Sequence, residues 1–156
     1  FFLGHIHDVH TGIMEAHFGE EPGSYKRVRP APGELRRLWS VEQEHVHFSG
    51  LQSELSVFSN FREAYACFMH DLTRQAVRSV KLVITETDRI KRLYVTGGFA
   101  KNPFFTGFLS LAFPGYTLFT SEVANATSLG AALVIAGKVW PGFSPFRELG
   151  LTEVIV

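Results

Sequence analysis

Two segments carry residue types whose spacing could do chemistry. Leu93-Tyr-Val-Thr-Gly-Gly-Phe-Ala-Lys-Asn-Pro103 reads as an apolar strand that ends in two glycines and turns straight into a helix. Asn125-Ala-Thr-Ser-Leu-Gly-Ala-Ala132 reads as a helix start made almost wholly of small residues. Glycine tolerates positive φ and presents bare backbone to a ligand, and open α/β sheets bind ligands beyond the carboxyl ends of their strands. The pair could therefore approach a flat ligand closely from two sides. Each half also has a plainer account: a tight strand–helix turn for Gly97-Gly98, and close helix-on-sheet packing for the small-residue run. Neither is a Rossmann fingerprint, which needs three spaced glycines, nor a Walker A loop, which needs Gly-Lys-Ser/Thr.

The opening His5-Ile-His7-Asp8-Val-His10 suggests a second chemistry. On a strand, His5 and His7 would share a face, as two zinc ligands would. His45 and His47 repeat the spacing. A catalytic zinc site needs a third ligand and an oriented outer shell; no such constellation follows in the sequence, so no metal ligand is assigned. Cys67, beside Phe68 in a helical stripe, reads as a small buried hydrophobe rather than a nucleophile. Lys26-Arg27-Val28-Arg29 and Arg36-Arg37 read as a solvated basic face.

The elements that must position these residues follow from periodicity. Phe1–Ile6 is short and apolar, a strand by pattern. Asp8 suits the N-cap of a helix running to about Phe18, with Ile13, Met14 and His17 near one face. Glu20 to Gly33 holds three prolines and is a loop, followed by a short helix over Glu34–Leu38. Asn60 with Glu63 resembles a capping box. Phe61, Tyr65, Phe68, Leu72, Ala76, Val80 and Val83 then form an apolar helical stripe over about 25 residues. Arg89–Thr96 reads as a strand, Asn102-Pro103 as a helix start, Pro114-Gly115 as its stop, and Tyr116–Phe119 as a short strand. A last helix starts at Ser121 or Asn125 and runs through Ala126 to Ala136, with Gly137 at its C′ position. Residues 138–156 form a tail expected to pack on the surface or against another segment. This order implies a βαβ-type layered sheet.

Composition bounds the possible functions. A chain of 156 residues suits one domain. Its 15 Lys+Arg balance 15 Asp+Glu, so net charge gives no reason to expect nucleic acid or an anionic membrane as partner. The single cysteine excludes an internal disulfide and a Cys-pair zinc site, and points to a reducing, cytoplasmic setting. No apolar run approaches the roughly 18 residues of a transmembrane helix. The start lacks a signal peptide's basic and apolar regions. It also lacks an initiator Met, so the chain is expected to be the interior of a longer protein.

Read jointly, Leu93–Asn102 and Phe119-Thr-Ser-Glu-Val-Ala-Asn-Ala-Thr-Ser-Leu-Gly-Ala-Ala132 resemble the C-terminal adenosine-binding region of the FGGY carbohydrate kinases. The helix bearing Glu63-Ala64-Tyr65 is similar to that family's long helix before the Gly-Gly strand. Phe2-Leu3-Gly4-His5 is similar to a segment of rhamnulokinase- and fuculokinase-like members. The resemblance covers Phe1 to about Gly137. It implies an α/β fragment of the actin-like (ribonuclease H-like) ATPase fold, with helices packed on a small mixed sheet. Residues 1–156 would be an incomplete C-terminal nucleotide-binding domain. It implies an ATP-dependent sugar kinase with Mg²⁺, a ketose being the expected acceptor. Carried over, Gly98 would lie under the adenine or ribose, with Gly97 and Phe99 beside it among the cofactor-binding residues, and Asn102 would approach the adenine edge. Asn125 and Ala126 would face the base from the other side, with Gly130 allowing close packing. Phe99 stands where a small residue is more common in the family, and Asn125 where an acidic one is often found. In the family, the catalytic Asp, the Gly-Thr phosphate loop and the sugar site lie upstream of the matched region. This chain alone is therefore expected not to transfer phosphate. Exposed apolar surface would make self-association possible. The competing expectation is a non-catalytic α/β binding or interaction module whose Gly-Gly turn is purely structural.

Overall fold

The computed structural model describes residues 3–40, 55–84, 89, 91–121, 123, 136, 139–140 and 149–156. Their elements are helices α1 (Leu3–Phe18), α2 (Glu34–Ser40), α3 (Phe61–Lys81) and α4 (Pro103–Ala112), and strands β1 (Arg92–Thr96), β2 (Thr117–Ser121) and β3 (Leu151–Glu153). Three short 3-10 turns interleave them, at Ser24–Arg27, Leu55–Val57 and Gly98–Lys101. The result is mixed α/β, with four helices packed on a small three-stranded mixed sheet. β1 and β2 are parallel, with Leu93 opposite Leu118 and Tyr94 opposite Phe119, and α4 is the crossover between them. β3 runs antiparallel on the far side of β2.

Helix α3 is the spine. The Asn60 side chain accepts from the Glu63 N–H at 3.0 Å and so satisfies one orphan donor of the helix start, while the Glu63 carboxylate reaches back past the cap to accept from the Ser59 N–H at 2.9 Å, a variant of the capping box. Its stripe Phe61, Tyr65, Phe68, Leu72 and Ala76 is buried. Val83, expected to continue the stripe, lies past the helix end and is 77% exposed.

Helix α4 starts where Asn102-Pro103 places it. The Asn102 Oδ1 accepts from the N–H groups of Phe104 and Phe105, at 3.1 and 3.2 Å, and Pro103 occupies the first turn, where its missing N–H costs nothing. Phe104 and Phe108 are fully buried against α3. Each such ring contributes about 1.5–3 kcal/mol through burial alone. Leu118 and the half-buried Leu93 and Val95 close the core from the sheet side.

The structure departs from several sequence expectations. Within the strand expected over Phe1–Ile6, the described residues from Leu3 onward are helical: α1 begins at Leu3, so Asp8 lies inside the helix rather than at its cap. Helical geometry also separates His5, which is exposed, from His7, which is buried, and ends the shared face that two strand ligands would need. The tail contributes an unexpected strand, β3. Of the expected last helix, Ser121 as a start is overturned because it ends β2, residues 125–135 lie outside the described residues, as do His45 and His47, and Ala136 is helical and buried. Among the described residues no helix is long and apolar enough to cross a membrane.

Candidate functional site

The two glycines after β1 play different parts. Gly97 takes φ 76° and ψ −157°, a region that glycine alone enters cheaply. This sharp departure ends the strand and starts the Gly98–Lys101 turn, held by the Ala100 N–H donating to the Gly97 carbonyl at 3.1 Å. Gly98 needs no positive φ, and a Cβ built on it would meet no atom within 4 Å. The first glycine makes the turn; the second leaves space beside it.

That space is a cleft of about 750 Å³. One wall is the turn itself, with Gly98, Phe99, Lys101 and Asn102. The opposite wall is the start of α1, with Gly4, His7 and Asp8, and the loop bearing Tyr25, Lys26 and Arg29. Tyr65 of α3 joins the two. The His7 ring meets Tyr25 and Phe99 edge-on, with centroids 4.8 and 5.5 Å away. The loop is tied down from below. The Tyr25 N–H donates to the buried Glu15 carboxylate, and Arg62 of α3 donates to both oxygens of the buried Glu34 and to the Arg29 carbonyl. Burial alone would raise Glu34, but hydrogen bonds from Arg62 and the Ala31 N–H outweigh it and hold the carboxyl below its ordinary range.

A chain of hydrogen bonds runs across the inner end of the cleft. The Asn102 Nδ2 donates to the Tyr65 hydroxyl at 2.7 Å; that hydroxyl lies 3.2 Å from His7 Nε2; His7 Nδ1 lies 3.3 Å from Asp8 Oδ1. Burial pushes the Tyr65 phenol well above its usual value and pulls His7 below its own, the neighbouring Asp8 only partly opposing it. With His7 neutral, Nε2 accepts from the Tyr65 O–H and Nδ1–H donates to Asp8, so every donor in the chain points toward the Asp8 carboxylate. Asp8 itself is open, its side chain 75% exposed.

Of the residues expected at a site, the structure brings Gly98, Phe99 and Asn102 into this cleft and gives Gly97 the turn behind them. Asn125, Ala126 and Gly130 lie outside the described residues. The Asn102 amide has no polar position to spare: Oδ1 caps α4, and Nδ2 meets Tyr65 and, at 3.8 Å, Met69 Sδ. Asn102 borders the cleft, but its amide holds the turn and leaves no hydrogen bond for a ligand. Cys67 is buried, and burial followed by repulsion from Asp71 pushes its thiol up to about 11, so it stays protonated as a small hydrophobe. Sequence reasoning missed Tyr25, Tyr65, Lys26 and Arg29 as site residues. Tyr65 sat inside a core stripe, and the cations sat in a loop that reads as solvated. Among the described residues no group of three His, Cys, Asp or Glu could hold a metal ion. Comparison with known families, characterised proteins and solved structures gives no match to this chain.

Proposed function

We propose that this chain supplies the adenosine-binding side of an ATP-dependent carbohydrate kinase, and that the cleft beside Gly98 receives the nucleotide. One observation carries the reading: Gly98 and Phe99, singled out by the Gly-Gly motif, meet the rings of Tyr25 and Tyr65 and the cations Lys26, Arg29 and Lys101 in a single cleft. Its volume falls within the roughly 300–1,000 Å³ of small-molecule sites. Aromatic edges and faces suit a planar base, and an excess of cationic side chains over carboxylates in the lining suits phosphate oxygens. The intact kinase would pass the γ-phosphoryl of MgATP to a hydroxyl of a sugar, a ketose in our reading. That step depends on positioning and on charge stabilisation by Mg²⁺, supplied by parts of the protein other than this cleft. The chain alone binds nucleotide without turning it over.

A non-catalytic binding module is the second reading. It is favoured by the fact that Gly97 and Asn102 are both required by the fold whatever the cleft holds. Gly98→Trp separates the two. A side chain at Gly98 enters open space, so the variant keeps its helical circular dichroism and urea midpoint while filling the cleft. Under the kinase reading, ATP binding measured by calorimetry is present in the parent chain and lost in the variant. A parent chain that binds no ATP decides for the module.

A further inference from the structure

Asp8 is the sole carboxylate among the described residues that line the cleft, which also holds three cationic side chains. An open aspartate on a helix is ordinarily a solvated surface group. Two features set this one apart. First, its partner is an imidazole that is itself locked: Tyr65 hydrogen-bonds the other ring nitrogen, and Asn102 fixes Tyr65. Polarised hydrogen bonds in such a chain reinforce one another, so the ring that meets the carboxylate presents it with an oriented N–H. Second, a carboxylate has about four acceptor positions and His7 uses one, so the others are open to a ligand that brings donors.

A nucleotide brings hydroxyl donors between its base and its phosphates. The imidazole beside Asp8 touches both Tyr25 and Phe99, the rings suited to a base, and Tyr25 is followed in the chain by Lys26, whose ammonium lies 5.8 Å from the Tyr25 ring centre. We infer that Asp8 is the specificity-determining residue of the cleft, accepting hydrogen bonds from the vicinal hydroxyls of a ribonucleotide, with Asn102, Tyr65 and His7 as its positioning residues. This rests on the nucleotide reading above. It adds that the cleft selects a ribose over sugars without the diol.

The test compares ATP with 2′,3′-dideoxy-ATP by calorimetry on the full chain. A hydrogen bond to a charged acceptor contributes enough that the parent should prefer ATP by about tenfold or more. Asp8→Ala, a substitution at an exposed helical position, should bring the ratio to about one. The ratio is the readout, because removing one negative charge shifts the affinity for both anions alike. Tyr65→Phe should lower the ratio part of the way; a purely structural role for Tyr65 would weaken both nucleotides equally and leave it unchanged. Equal binding of the two nucleotides by the parent, or a preference that survives Asp8→Ala, overturns the inference while the nucleotide reading stands. Failure of the parent to bind either nucleotide overturns both.

Discussion

The chain contains two His-Asp neighbours, His7-Asp8 in α1 and His70-Asp71 in α3, and in both the imidazole Nδ1 lies 3.3 Å from the following carboxylate. The dipeptide fixes that contact and nothing more. At the cleft, His7 Nε2 meets the Tyr65 hydroxyl and the Asp8 side chain is 75% exposed. In the core, the Asp71 side chain is 5% exposed, and His70 Nε2 meets no hydrogen-bond partner among the described residues. There the ring is enclosed edge-on by Trp39 of α2 and Phe108 of α4, at 5.5 and 5.4 Å. The same dipeptide thus borders a cleft in one helix and packs within the core in the other, according to what the neighbouring elements bring against the ring.

The largest test of this contrast removes the core enclosure. Phe108→Ala should cost about 3–5 kcal/mol in urea unfolding, while the fraction that remains folded binds nucleotide as the parent does. Lost affinity in that fraction would mean the two regions are coupled. Next, Asn102→Ala should cost about 1–2 kcal/mol, since it removes the α4 cap, and should also weaken nucleotide binding by releasing Tyr65. Asn60→Ala, at the cap of α3, is a control of similar chemistry: about 1 kcal/mol of stability and unchanged binding. Equal effects of the two on binding would show that Asn102 acts on the cleft only through stability.

The smallest effect is one of pH. Burial lowers His7, with Asp8 and Glu15 opposing, so the folded chain holds that proton less tightly than the unfolded chain does. The stability contributed by the neutral ring is therefore complete above the unfolded value of about 6.5, and is lost as pH falls from there toward the lower folded value. The urea midpoint should drop across that window, and drop less in His7→Gln. His10, stacked on Phe68 and also lowered by burial, acts in the same direction and keeps the slope from vanishing. A slope identical in parent and variant would remove His7 from the account.

What was legible in the sequence tracks how apolar each buried face is. The stripe of α3, the capping asparagines at 60 and 102 and the strand before Gly97 were readable because burial there is carried by Phe, Tyr, Leu and Val. Helix α1 was readable only from Asp8 onward, and its first turn, from Leu3, was read as a strand. Its buried positions His7, Thr11, Met14 and Glu15 follow helical spacing, but three of the four are polar, so no hydrophobic period announces them. The site was half legible for the same reason. Gly98 and Phe99 lie in a motif, whereas the facing wall consists of a polar helix face and a charged loop that only tertiary contacts bring to the turn. Strand β3, three residues long, has no pattern to show.

The hydrogen-bond chain also bears on the order of assembly. It joins residues 58 positions apart at His7–Tyr65 and 37 apart at Tyr65–Asn102, whereas β1, α4 and β2 lie within one stretch of about thirty residues. Long closures cost entropy before they return any contact. Helix α1 should therefore dock after the α3–α4 unit has formed, and detach before it. Amide hydrogen exchange should find α1 opening at lower free energy than α3. A bound nucleotide, by bridging both walls, should narrow that gap and act as a clasp on the N-terminal helix.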